Sequence, residues 1–211
     1  MTEVLYTIKN GKILDSNIPT DGLVCYLDAR GKKNTDVHRG TLLDLSGNGN
    51  HGILNNFAFT GTSGYVKDLS GGLKFDGVVD QIQLNLTLAD YTIIAEAMIP
   101  IEESSNYIFL ETDGLRLSVN PTNKTLVARV INPGGSIAYR QVPHERMGKI
   151  CIKISGEILE IKTNTNPRII NENIKNGSTF LRIGNGEVNF RKCLIYNRAL
   201  TDTEINQLLG A

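Results

Sequence analysis

Three groups of residues in this chain have the types and spacing from which chemistry could be built. The first is Asp44-Leu-Ser-Gly-Asn-Gly-Asn-His-Gly52, where Asp44, Ser46, Asn48 and Asn50 alternate around Gly49. Oxygen donors at every second position of a Gly-containing loop are how a calcium ion is wrapped. The twelfth position of such a loop, which would need a bidentate Glu, is Asn55, so the segment offers one formal negative charge. Asp28, Asp76 or Asp80 could add charge if the fold gathers them. The same residues also suit a tight turn, because Asp, Ser and Asn bond their own backbone while Gly and Asn tolerate left-handed dihedrals. The turn reading is preferred: no cofactor is required, and calcium is the alternative.

The second group is carboxylic. Glycoside cleavage uses one carboxyl as acid and another as nucleophile or base, and Glu111-Thr-Asp113 is the nearest candidate pair. The second glutamate of an ExDxxE pattern would fall where Arg116 stands, and one more spacer meets Leu117. His38, His51 and His144 lie in no context that matches a nucleophilic triad. The expectation is a protein that is not an enzyme, with a divergent glycoside hydrolase or lyase as the alternative.

The third group is suited to binding. A sugar ring stacks on an exposed aromatic plate with a polar rim, and with no Trp in the chain tyrosines must serve. Tyr65, Tyr107 and Tyr139 sit beside loops, while Arg116, Arg129 and Arg140 fall on strand positions that could line one sheet face. These six are the candidate ligand-binding residues.

The elements that must position them are strands. Short apolar runs of period two recur between Gly, Asn, Asp and Pro, most clearly at Leu23 to Leu27, Gln81 to Leu86, Tyr91 to Ile99, Tyr107 to Leu110, Leu115 to Val119, Thr125 to Ile131, Ile150 to Ile154, Ile158 to Thr163, Phe180 to Ile183 and Phe190 to Tyr196. Gln81-Ile-Gln-Leu-Asn-Leu86 alternates strictly, so one face packs inward and needs a second sheet above it. The spacing predicts one helix, opened by Thr201 as N-cap with Glu204 three positions on, Leu200 and Ile205 as the staple, and Gly210 at its end. Thr7-Ile-Lys-Asn-Gly-Lys-Ile-Leu14 predicts a hairpin turning at Asn10-Gly11. It makes residues 1–20 either an arm or a strand pair docked on a main domain spanning 21–211.

Acidic and basic residues balance at 22 each, which leaves no broad field to draw in nucleic acid or an anionic membrane. No apolar run approaches spanning length, and Met1 to Asn10 lacks the regions of a signal peptide. The expectation is a product made in the cytoplasm with no membrane insertion. Cys25, Cys151 and Cys193 are far apart, in apolar runs, with no CxxC, and read as reduced thiols packed in strands.

Leu23-Val-Cys-Tyr-Leu-Asp-Ala-Arg30, the Asp44 to Gly52 turn, Gly72-Leu-Lys-Phe-Asp-Gly77 and the block from Asn189 to Ile205 closely resemble the laminin G-like members of the concanavalin A-like lectin/glucanase superfamily. The likeness runs from about Gly22 to the C-terminus. It implies an all-β fold, a two-sheet antiparallel jelly-roll sandwich with a short C-terminal helix. It also implies a recognition or assembly module of a phage tail or baseplate, or of a bacterial surface. Such a module would contact a glycan or cell-surface polysaccharide, or other virion or surface proteins, and could be an oligomer; a purely structural virion protein is the remaining alternative. The chain departs from the family pattern in having no Trp, in Glu145-Arg-Met-Gly-Lys-Ile150 where a Trp-His pair is usual, and in lacking an Asn-Gly turn after Ile161.

Overall fold

The alternating runs form strands in the computed structural model, which describes residues 6–9, 12–15, 17–67, 71–98, 107–120, 123, 125–143, 147–163, 172–174, 177–184, 186 and 188–210. In chain order these are β1 (Tyr6–Lys9), β2 (Lys12–Asp15), β3 (Leu23–Asp28), β4 (Thr41–Leu42), β5 (Gly52–Asn55), β6 (Gly64–Val66), β7 (Gly72–Lys74), β8 (Gln81–Leu84) and β9 (Tyr91–Met98). They continue as β10 (Tyr107–Glu111), β11 (Leu115–Asn120), β12 (Thr125–Ile131), β13 (Ile137–Pro143), β14 (Met147–Ser155), β15 (Ile158–Thr163), β16 (Glu172–Asn173), β17 (Leu181–Gly184) and β18 (Asn189–Tyr196), followed by helix α1 (Asp202–Leu209).

β1 and β2 pair antiparallel as a separate ribbon, Tyr6 opposite Asp15 and Lys9 opposite Lys12. The Asn10-Gly11 pair that predicts this hairpin lies outside the described residues. The other strands make two eight-stranded antiparallel sheets. The first runs β13-β12-β11-β10-β17-β8-β5-β4; the second runs β16-β15-β14-β9-β18-β7-β6, with β3 sharing an edge of β18 with β7.

Between the sheets lies one core. Leu115, Leu117 and Val119 of β11 and Leu126, Ala128 and Val130 of β12 are fully buried in one cluster with Ile93, Ala95, Ile152 and Ile161 of the second sheet. Strict alternation in β11 and β12 explains why the first sheet buries one face. The second sheet buries both at its centre, while the outward positions Ser155 and Ile158 of β14 and β15 are exposed. β9 is a nearly continuous apolar run, Tyr91-Thr-Ile-Ile-Ala95, buried at every one of those positions. Its far side, with Ile94, Cys151, Leu194 and Tyr196, forms a second cluster with Ile18 and with Leu200, Ile205, Leu208 and Leu209 from α1 and its entry.

α1 starts as its sequence predicts. The Thr201 side chain accepts from Glu204 N at 3.3 Å, while a Glu204 carboxylate oxygen accepts from Thr201 N at 2.8 Å. Gly210 ends it at φ 77°, a left-handed value open to Gly. The staple residues Leu200 and Ile205 both enter the second cluster. All three cysteines are free and buried, and burial pushes the Cys151 thiol up to about 12.

Candidate functional site

The register of the first sheet places one residue from each strand in a single outward row. Tyr139 stands opposite Arg129, Arg129 opposite Arg116, Arg116 opposite Glu111, Glu111 opposite Arg182, Arg182 opposite Gln83, and Gln83 opposite Ile53. Directly opposed residues on one face have their Cβ atoms about 5 Å apart, so neighbours in such a row touch. From β13 to β8 the row crosses six strands, a span of about 24 Å at the usual strand spacing.

Its electrostatics are uneven. Glu111 is the one carboxylate between three arginines, and it is shared: one oxygen accepts from Arg116 Nε at 2.9 Å, the other from Arg182 Nη1 at 3.1 Å. The Arg129 side chain has no hydrogen bond or ion pair among the described residues. The row therefore carries a surplus of two positive charges, with the unpaired one beside Tyr139, which is 61% exposed. Ile137, also exposed, lies on the same face of β13.

Arg116, Arg129 and Tyr139 of the candidate binding residues are thus brought together. Arg140 is not, because it pairs with the inward-facing Ala128 and so points to the opposite side of β13. β13 ends the sheet, and its inward side is only partly covered: Ala138 packs against the core, while Arg140 is exposed with one guanidinium nitrogen donating to Tyr139 O. Tyr65 corrects the expectation of a stacking plate: it is only 5% exposed, its hydroxyl donates to Arg39 O at 3.1 Å, and burial pushes the phenol up to about 12. Tyr107 pairs through its backbone with Val119 in β10, while its side chain, like His144, lies outside the described residues. Arg182 and Glu111 complete the row, and reading the sequence for binding residues misses both. Their signal is the polar position within Leu181-Arg-Ile183 and at the end of β10.

The Asp44 to Gly52 segment closes on itself. Asp44 is 4% exposed, and one of its carboxylate oxygens accepts from Tyr26 N and Ser46 N, both at 2.8 Å. The other accepts from Ser46 Oγ at 2.8 Å and Asn50 N at 3.1 Å. Asn48 and Asn50 donate their amides to Leu23 O and Val24 O, and His51 Nδ1 accepts from Asp44 N. Gly47 and Gly49 supply the left-handed dihedrals at φ 85° and 81°. Asp44, Ser46, Asn48 and Asn50 thus staple a turn along the edge of β3 that β18 leaves unpaired, and edge protection is a known use of such loops. Of the other acids, Asp28 accepts from Arg30, and Asp80 accepts from Asp76 N within their own turn. Among the described residues no three His, Cys, Asp or Glu side chains gather as a metal site.

The carboxylates of Glu111-Thr-Asp113 point to separate tasks. Asp113 accepts from Thr179 N at 2.7 Å and Thr179 Oγ1 at 3.0 Å, tying the turn after β10 to the chain before β17.

No protein-family model matches the chain, and no curated protein sequence matches it. Solved structures do. The Trypanosoma rangeli sialidase in complex with 2,3-difluoro-KDN superposes with a TM-score of 0.66 at 15% identity, over 92% of this chain and 33% of that one. The receptor-binding domain of botulinum neurotoxin type G gives 0.64 at 15% identity over 90% of this chain and 51% of that one. The binding domain of botulinum neurotoxin DC, in complex with SialylT, gives 0.65 at 15% identity over 90% and 52%. The chain spans about a third of the sialidase and about half of each neurotoxin domain. What the likeness establishes is the fold: a β-sandwich of two antiparallel sheets, with one short C-terminal helix laid on the second.

Proposed function

We propose that this chain is a non-catalytic recognition module of the laminin G-like kind, which lays an acidic glycan across the outer face of its first sheet. The observation that carries the reading is the row from Tyr139 to Gln83, where an exposed aromatic ring adjoins an unpaired guanidinium. Tyr offers a flat amphipathic plate at low conformational cost, and Arg presents paired donors that match a carboxylate. Gln83 and the Glu111 edge extend the row with polar groups suited to hydroxyls. Support also comes from structural neighbours in complex with ligands, the Trypanosoma rangeli sialidase with sialic acid and the neurotoxin DC binding domain with SialylT.

The non-catalytic part of the proposal rests on the carboxylates. Both oxygens of Glu111 are held by arginines, and Asp113 is engaged by Thr179, so neither is poised as an acid beside a second free carboxyl. The setting we favour is a phage tail or baseplate, or a bacterial surface, where the module works as a virion component or extracellular surface protein. No cofactor enters this reading.

A glycan array probed with the protein tests it. Binding should concentrate on acidic polysaccharides, and Arg129→Ala or Tyr139→Ala should each weaken it by about tenfold, the loss expected for one charge-assisted or stacking contact. Retention of binding by both variants would place the site elsewhere; turnover of an arrayed glycan would return the hydrolase or lyase alternative.

A second reading has its own observation. β13 is a seven-residue strand at the end of the first sheet, with Ile137 and Tyr139 exposed, and an open edge is a template for pairing with another chain. A stable oligomer in solution, lost with Gln141→Pro, whose N–H lies on the open side of β13, and accompanied by no sugar binding, would favour assembly over glycan recognition.

A further inference from the structure

On the opposite side of the molecule, α1 does not seal the second sheet completely. Between its C-terminal half and strands β3, β9, β14 and β18 lies a cleft of about 470 Å³, inside the range of roughly 300–1,000 Å³ usual for small-ligand sites. Its lining combines two chemistries. Ile94 and Leu194 on the sheet and Leu208 on α1 are apolar, while the charged groups reaching it from β14, β18 and the residues after β3 are Lys149, Lys192 and Arg30. Among the described residues, every charged side chain lining the cleft is basic.

Those cations share the outer face of the sheet with two carboxylates: Glu96 stands opposite both Lys149 and Lys192, and Asp28 opposite Lys192. Arg30 is tied to Asp28 by its Nε and one Nη, Lys192 lies 3.5 Å from Glu96, and Lys149 donates to Leu208 O at the end of α1. The carboxylates orient the basic groups and offset part of their charge, and neither is among the residues lining the cleft. Burial, and then the neighbouring Lys192, make the charged form of Lys149 harder to hold, strain that a bound anion would relieve. Asn17, Gln207 and Tyr26 add neutral polar groups to the lining. Basic groups beside apolar surface in one cleft match a ligand with one anionic group and one non-polar face, which describes an acidic sugar ring.

We infer that the cleft between α1 and the second sheet binds a small carboxylate-bearing ligand the size of one acidic monosaccharide, at a site separate from the Tyr139 to Gln83 row. Titration of the full chain with glucuronate, followed by the amide resonances of Leu194 and Gln207, tests it. Saturable shifts are expected with glucuronate and none with glucose. Lys192→Gln should weaken binding by about tenfold or more, the usual loss of one charge-assisted contact, while Arg140→Gln on the far sheet should leave it unchanged. Because Lys149 also caps α1, Lys192 is the variant that reads ligand binding apart from folding, and a melting temperature unchanged in Lys192→Gln confirms that separation. No saturable shift up to about 50 mM, equal shifts with glucose, inorganic phosphate binding as tightly as glucuronate, or an unaffected Lys192→Gln would each overturn the assignment. Since the array test reads Arg129 and Tyr139, failure of either proposal is distinguishable from failure of the other.

Discussion

The outer faces of the two sheets use the same pleat to opposite ends. On the second sheet, Ile94, Cys151, Leu194 and Tyr196 point away from the central core and are still buried, because α1 and Ile18 cover them. On the first, Arg116, Arg129, Tyr139 and Arg182 occupy the equivalent outward positions and meet solvent, with the one carboxylate among them shared by two arginines. Covering a face adds apolar burial at about 25 cal/mol per Å² and leaves little of that surface for a partner. An open face contributes little to stability and keeps its charge and aromatic area for recognition. The molecule thus separates stability from candidate function by sheet, and the cleft is the place where the covered side is left incomplete.

Substitution on the covered face gives the largest test of that division. Ile205→Ala or Leu194→Ala should cost about 3 kcal/mol through the lost burial and the cavity left behind, a fall of roughly 6–12 °C in melting temperature for a domain of this size. Arg129→Ala and Tyr139→Ala should stay within about 0.5 kcal/mol of the parent. Equal destabilisation of both faces in thermal melts would erase the distinction.

Next in size is the turn along β3. Asp44→Ala removes the acceptor of four hydrogen bonds and leaves buried donors behind, a loss of about 2–4 kcal/mol in denaturant titrations. Chelation by EDTA should not move the melting temperature. A calcium-dependent rise abolished by Asp44→Ala would make this loop a metal site and give the molecule a third functional region.

Acidification should loosen the covered face first. Arg198, aided by Thr201, holds the Glu204 carboxyl at about 2, below its usual 4.5. Because the folded value is the lower one, the stability it contributes is complete above about 4.5 and lost as the pH falls toward 2. Stability measured across that window should decline, with a shallower slope in Glu204→Gln. An unchanged slope would show that the cap of α1 does not anchor the face. The smallest effect is expected on the open face, where Glu111→Gln raises the positive surplus. Stability should move by less than about 1 kcal/mol, while affinity for an acidic glycan rises by about threefold in a binding isotherm.

Much of this contrast is legible in the order of the amino acids. Alternation in Leu115 to Val119 and Thr125 to Ile131 marks strands with one wet face, and Tyr91-Thr-Ile-Ile-Ala95 reads as buried on both. Thr201 with Glu204, and Gly210 beyond, fix both ends of α1 through local bonds, which makes the helix readable from its own residues. β13 is harder to read. In Ile137-Ala-Tyr-Arg the larger apolar groups face outward, while the inward side carries Ala138, packed on the core, and the exposed Arg140, so period two gives no clear inward signal at this sheet end. Tyr65 and Tyr139 are equally plausible plates by their positions beside loops, and only the packing of Tyr65 and its bond to Arg39 O separate them.

Whatever depends on near neighbours is written in the chain itself: the strands, the capping box, the bonds of Asp44 to Ser46 and Asn50 within their turn, and the all-β class. Those follow from backbone preferences and side-chain reach within a few residues. Whatever depends on register belongs to the tertiary structure. Arg116, Arg129, Tyr139 and Arg182 become one row, and Arg30, Lys149 and Lys192 one cleft wall, only when strands distant in sequence are paired at particular residues. A slip of one residue would send each side chain to the other face. That dependence on pairing is why the sequence can nominate Arg116 and Arg129 as binding residues but not Arg182 or the shared Glu111.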